Sequence, residues 1–147
     1  QPINFRGVDI RIMTNEQAEA LNKVKIQRSI FIAWDNPKDN LEPKISELVK
    51  HIKPYKLRCY VLVGFNSTIQ EDLHRIYTLQ KYHILPYVMV YKDYDNPQEK
   101  TQYQKDLTRW ANNVFVYKKC PRFTDYEPRN GFKCSEYLKQ NIDETIL

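Results

Sequence analysis

The chain has 147 residues, of which 41% are hydrophobic and 28% charged, and its formal net charge is +5 at pH 7. This length favours one domain, and the composition is globular rather than disordered. No apolar run reaches the roughly 18 residues that a membrane helix needs, and no signal peptide is recognisable. We therefore expect a soluble, cytoplasmic protein.

The first predicted unit is a strand within residues 3–13, where apolar and polar residues alternate. Asp9 and Arg11 lie on the polar face of this strand, which in a barrel-like fold would point toward a ligand. Thr14 and Gln17 have the spacing of a capping box and predict a helix after the strand.

The second unit opens with an apolar strand at residues 29–34. Asp35 follows it directly, either as a turn former or as a ligand contact. Asp39 and Glu42 have capping-box spacing and predict the start of a helix that ends near Pro54.

The third unit is a buried strand at residues 60–63, followed by Gly64, which lets a turn or a ligand come close to the backbone. Ser67 or Thr68 caps the next helix, whose apolar residues recur with a helical period over 69–79.

The fourth unit has a strand at residues 84–91, a polar loop, and a helix with an apolar stripe over 107–115. Residues 118–147 are predicted to form an irregular tail, with a short helix at 135–142.

Three cysteines, Cys59, Cys120 and Cys134, are widely spaced and odd in number. This pattern favours free thiols in a reducing compartment, and it lacks the C-x-x-C spacing of many metal sites. We therefore assign no metal ligand and no catalytic residue in this chain.

Strands that alternate with helices predict an α/β fold with right-handed crossovers and a parallel sheet. Four such units make either half of an eight-stranded barrel or an open doubly wound sheet. Ligands of parallel α/β folds bind beyond the carboxyl ends of the strands, where Asp35 and Gly64 stand.

Four segments, in this order, resemble the third to sixth core strands of the radical S-adenosylmethionine (SAM) enzymes; they are residues 8–16, 32–36, 63–72 and 88–90. The resemblance covers residues 3–117. It implies a parallel (βα)4 half-barrel, strands three to six of a six-stranded partial TIM barrel. Residues 1–117 would then be the C-terminal half of the core.

The resemblance also implies a set of SAM-binding residues at the strand ends: Arg11, Asp35, Asn36, Gly64, Phe65, Asn66 and Met89. In the family the acid after the fourth strand contacts the ribose or the amino-acid end of SAM. The glycine turn after the fifth strand lies beside the adenosyl group, and the sixth strand runs along the adenine. Asn66 stands where the family usually has proline.

The C-x-x-x-C-x-x-C loop of the family, which holds three irons of a [4Fe–4S] cluster, is absent from this sequence. The resemblance therefore implies a fragment that is inactive alone. A missing N-terminal half, its expected partner, would hold the cluster that cleaves SAM to a 5′-deoxyadenosyl radical. The substrate is unknown. The open edge of the first strand also favours a homodimer.

Two other interpretations remain open. A nucleotide- or phosphate-binding α/β domain would need glycine-rich loops, and the chain has three glycines. A non-enzymatic nucleic-acid-binding module is suggested by the +5 charge and 11 tyrosines, although no recognised motif accompanies them.

Overall fold

A computed structural model describes residues 7–25 and 28–139. Its helices are α1 Asn15–Lys23, α2 Glu42–Leu48, α3 Ile69–Lys81, α4 Gln102–Asn112 and α5 Val114–Lys119. Its strands are β1 Ile30–Trp34, β2 Leu57–Val63 and β3 Leu85–Val90. Short 3-10 helices occupy Pro54–Lys56 and Phe123–Asp125, and residues 135–139 are helical. None of the described helices is long and apolar enough to cross a membrane.

The three strands form one parallel sheet in the order β1-β2-β3. Ile30 lies opposite Leu57 at one end, and Val63 lies opposite Val90 at the other. Neighbouring strands are consecutive in the chain, so right-handed crossovers place the connecting helices on one face. The predicted α/β class with a parallel sheet is confirmed.

The described residues cover only one face of the sheet. Buried strand residues occupy alternate positions, and α3 and α4 contact the sheet. The other face, called the open face below, carries the residues between them: Phe31, Ala33, Arg58, Tyr60, Leu62, Tyr87 and Met89. Parallel sheets are normally covered on both faces. Within the described residues, this sheet therefore lacks a second covering layer.

The first predicted strand is wrong over most of its described length. Val8 makes a single parallel bridge to Ile32, and residues 10–12 form a turn. The Asp9 carboxylate accepts hydrogen bonds from the backbone N–H and the Nε of Arg11, both at 3.0 Å. Such local bonding competes with a strand ladder. Within the described residues the sheet therefore has three strands rather than the four predicted. The first four residues of the predicted strand lie outside the described part of the chain.

Two of the three predicted capping boxes are confirmed. The hydroxyls of Thr14 and Thr68 accept from the backbone N–H of Gln17 and Glu71, both at 3.2 Å. The Gln17 and Glu71 side chains accept in return from the backbone N–H of each threonine at 3.0 Å. Local spacing alone was enough to locate the starts of α1 and α3.

The predicted cap of α2 is wrong. This helix begins at Glu42 without any side-chain cap and ends at Leu48, well before Pro54. Asp39 belongs instead to the turn after β1, where its carbonyl accepts from the indole N–H of Trp34 at 3.0 Å. The N-cap position belongs to Leu41, so Asp39 stands two residues before it, too early to act as the cap.

The helix predicted across residues 107–115 is broken at Asn113. The Asn113 side chain accepts from the backbone N–H of Phe115 at 3.1 Å and of Val116 at 3.3 Å, and so caps α5. Asparagine is a favoured N-cap residue. Phe115, expected on the buried stripe, is consequently 88% exposed.

The segment after α5 packs into the same core as the sheet and helices, through buried Phe123, Cys134 and Tyr137. Asp106 of α4 anchors it, since its carboxylate accepts from the Arg129 guanidinium at 3.1 and 3.2 Å and from the Tyr137 hydroxyl. Burial opposes ionisation of Asp106, but the bonds from Arg129 and Tyr137 outweigh it and lower its pKa. The predicted tail is thus part of the core as far as residue 139.

Candidate ligand site at the carboxyl edge of the sheet

Polar residues follow β1 and β2 where these strands end side by side. Asp35 and Asn36 come directly after β1, and Gly64 comes directly after β2. Because the strands are parallel, all three residues lie at the carboxyl edge of the sheet. This is the edge at which parallel α/β folds bind their ligands.

A cavity of about 370 Å³ lies at the carboxyl end of β1. Arg11, Asp35 and Asn36 line it, together with Asp9 and Asp39. The structure thus brings together three of the residues that the sequence predicted for one site. Three carboxylates against one guanidinium leave this cavity with an excess of negative charge, which favours a cationic ligand.

Arg11 is engaged by a neighbour in this cavity. Its Nε and Nη2 donate to the Asp9 carboxylate at 3.0 and 2.8 Å. These bonds lower the pKa of Asp9 to about 2 and raise the pKa of Arg11. The pair is exposed, and exposed pairs contribute little to stability. A ligand carboxylate could therefore replace Asp9 as the partner of Arg11 at small cost.

A buried arginine of α3 fixes the turn that carries Asp35. Arg75 Nη1 donates to the Trp34 carbonyl at 2.8 Å and to the Asp35 carbonyl at 3.4 Å. Its Nη2 donates to the Asp72 carboxylate at 2.7 Å, and the Tyr103 hydroxyl of α4 donates to the other Asp72 oxygen at 2.8 Å. The ion pair of Asp72 and Arg75 therefore connects α3 and α4 to the end of β1.

Sequence reasoning missed this network, although a signal was present. Asp72 and Arg75 stand three positions apart on the face of α3 that also carries Leu73, Ile76 and Leu79. Charges on an apolar helix face are almost never buried unless they are paired. Burial raises the pKa of Asp72 even though hydrogen bonds and Arg75 oppose the change.

Gly64 has a φ of 84°, which favours glycine over any residue with a side chain. A Cβ at this position would lie 2.7 Å from Nε2 of Gln104. The carbonyl oxygen of the same Gln104 side chain accepts from the Thr101 backbone N–H at 3.0 Å in the capping box of α4. The glycine thus lets the start of α4 approach β2, and it lines a cavity of about 280 Å³ with Gln104.

The other predicted residues lie along the same part of the sheet but outside these two cavities. Phe65 is 62% exposed, and the centroid of its ring lies 4.7 Å from the centroid of the Tyr91 ring. Asn66 is exposed. Met89 lies on the open face and lines a groove at the outer edge of β3. The structure therefore does not join these residues to Arg11 and Asp35.

The cysteines do not fit an iron–sulfur cluster. Cys59 and Cys134 are buried and Cys120 is partly buried, and burial raises the pKa of each thiol. Within residues 7–25 and 28–139, no group of three or more His, Cys, Asp or Glu side chains is placed to hold a metal ion.

Comparisons with models of known families, with characterised protein sequences and with solved structures found no match to this chain.

Proposed function

We propose that this chain is the C-terminal half of the core of a cytoplasmic radical SAM enzyme and forms one wall of its SAM pocket. The observation that carries the proposal is the acidic cavity that joins Arg11, Asp35 and Asn36. SAM bears a sulfonium and an ammonium group against a single carboxylate, so its net charge is positive. The carboxylates of the cavity would attract it, while Arg11 would bind its carboxylate. The same acidity disfavours a phosphate ligand.

The arrangement of the sheet supports a partial barrel. Consecutive parallel strands with helices on one face would leave the open face as the inner surface of such a barrel. The Val8 bridge extends the sheet beyond β1, on the side where two earlier strands would lie. An N-terminal half of the protein would pair with this edge, and a second copy of the chain could compete for it.

The outer edge of β3 is closed by a side chain. Asn112 accepts from the Val88 backbone N–H at 2.7 Å and donates to the Val88 carbonyl at 3.0 Å. It thus occupies the place that a further strand would take in the ladder. This favours β3 as a terminal strand, as the sixth strand of an open barrel would be.

The [4Fe–4S] cluster that the proposal requires would be held by the N-terminal half, since the cysteines of this chain do not fit it. The residues of this chain would bind and orient SAM. Asp35 would contact the ribose or the amino group, and the turn at Gly64 would lie beside the adenosyl group. The fragment alone would therefore bind SAM weakly and would not turn it over.

Nuclear magnetic resonance detects weak binding and locates it. We expect SAM to shift the amide resonances of Arg11, Asp35 and Gly64 in the labelled chain. S-adenosylhomocysteine, which lacks the sulfonium charge, should bind less tightly. Asp35→Asn should weaken SAM binding about 10- to 150-fold, as expected for the loss of a bond to a charged group worth about 1.5–3 kcal/mol.

Asp125→Asn serves as the matched control, because Asp125 is exposed and lies outside the cavity. SAM-induced shifts confined to other parts of the chain would contradict the proposal. Equal binding of SAM by the parent and the Asp35→Asn variant would do so as well.

A further inference from the structure

A groove of about 730 Å³ runs along the outer edge of β3, between this strand and α4. Lys100, Lys105 and Arg109 line it, and no carboxylate is among its described lining residues. None of the described carboxylates forms an ion pair with these three cations, whereas several other lysines are paired: Lys38, Lys50, Lys81 and Lys139. The described lining of the groove is therefore positively charged, which favours an anionic ligand, although Lys100 also lines the Gly64 cavity with Asp93 and Glu99.

The charged wall of the groove is one stripe of α4. Lys105, Thr108, Arg109 and Asn112 stand at positions i, i+3, i+4 and i+7, and all four line the groove. Like charges four residues apart destabilise a helix. A polyanion that follows the helix axis would relieve this repulsion by contacting both cations.

The floor of the groove is apolar and partly aromatic. Tyr87 is 38% exposed and Met89 is 47% exposed. The centroids of the Tyr87 and Tyr60 rings lie 5.8 Å apart in a T-shaped arrangement, and those of the stacked Tyr60 and Phe31 rings lie 4.6 Å apart. The Arg58 guanidinium lies 5.2 Å from the centre of the Tyr87 ring. Exposed aromatic rings beside cations are the arrangement that binds unpaired bases and their phosphates.

A peptide strand does not fit this edge. The backbone N–H and carbonyl of Val88 are already bonded to the Asn112 side chain, so a strand added beside β3 would lack this ladder position. A duplex does not fit the floor, since its base faces are hidden in the stack. A single strand can present both a phosphate row and an exposed base.

We propose that this groove binds single-stranded nucleic acid, with Lys100, Lys105 and Arg109 contacting phosphates and Tyr87 contacting a base. This site is separate from the acidic cavity that holds Asp35. Binding of a single strand does not require that the chain bind SAM, so the two proposals can fail independently.

Fluorescence anisotropy of a labelled single-stranded oligonucleotide, mixed with the whole chain, tests the proposal. With three phosphate contacts, the slope of log affinity against log salt should be about −2, so affinity should fall about 20-fold between 50 and 200 mM salt. Lys105→Gln with Arg109→Gln should flatten this slope to about −0.7. The matched control, Lys44→Gln with Lys119→Gln, removes two exposed charges outside the groove and should leave the slope unchanged.

Tyr87→Ala should weaken single-strand binding by about 5- to 150-fold, while Tyr87→Phe should retain it, because only the ring is needed for stacking. Thermal melts establish whether each variant is folded. If Tyr87→Ala does not fold, the salt slope of the Lys105 and Arg109 double variant alone decides whether the groove binds a single strand. Equal binding of a duplex or of polyglutamate would overturn the proposal. An equal loss in the control variant would overturn it too.

Discussion

The buried ion pair between Asp72 and Arg75 offers the sharpest test of how the carboxyl edge is held. Asp72 is 2% exposed and Arg75 is 1% exposed. Through the bond from Arg75 to the Trp34 carbonyl, the pair connects α3 to the end of β1. Arg75→Met keeps most of the side-chain volume but removes the guanidinium. Asp72 would keep its bond from Tyr103 and lose its ion-pair partner, and the Trp34 carbonyl would lose its donor.

Breaking a buried pair from one side typically costs about 3–5 kcal/mol, because an uncompensated charge remains. We expect a loss of this size in the free energy of unfolding at pH 7. Burial already raises the pKa of Asp72, and the attraction of Arg75 opposes that shift. Without Arg75 the folded-state pKa should rise further. The folded state then binds a proton more readily than the unfolded state, so the variant should recover stability as the pH falls and lose it as the pH rises.

Urea denaturation at pH 7 and pH 5, followed by circular dichroism, measures both effects. Lys50→Met is the matched control, because Lys50 and Glu47 form an exposed pair with the same three-residue spacing. That control should cost no more than about 0.5 kcal/mol. Asp72→Asn combined with Arg75→Met should be more stable than Arg75→Met alone, since no buried charge remains. If Arg75→Met costs no more than the control, the proposed role of the pair is wrong.

Three further predictions follow from other contacts. Gly64→Ala should lower the free energy of unfolding by about 1–2 kcal/mol, because φ is 84° and the new Cβ meets Gln104; unchanged urea stability would refute this. The lowered pKa of Asp106 stabilises the fold above about pH 4 and loses this effect as the pH falls through the folded value, so Asp106→Asn should flatten the decline in melting temperature between pH 5 and pH 3. An equal decline in both proteins would contradict it. A thiol reagent should modify Cys120 first and reach buried Cys59 and Cys134 only after unfolding, so rapid native reaction of all three would be inconsistent with the fold.

The sequence by itself determined the elements that depend on local signals. Three strands and the starts of α1 and α3 lie where apolar runs and capping boxes predicted them, because such patterns act over a few neighbouring residues. Their order also determined the parallel sheet, since each crossover is right-handed. Asp35 and Gly64 could be assigned to one edge for the same reason, whereas Arg11 and Asn36 were assigned only through the family resemblance.

Tertiary structure decided what depends on competing or distant bonds. The Asp9 carboxylate turns the chain at Arg11 and ends the first predicted strand, and Asn113 divides a helix that its apolar pattern would continue. Arg75 reaches the Trp34 carbonyl across 41 positions, and no periodicity records such a contact. The closeness of Gln104 to Gly64 was likewise set by where the start of α4 lies in space.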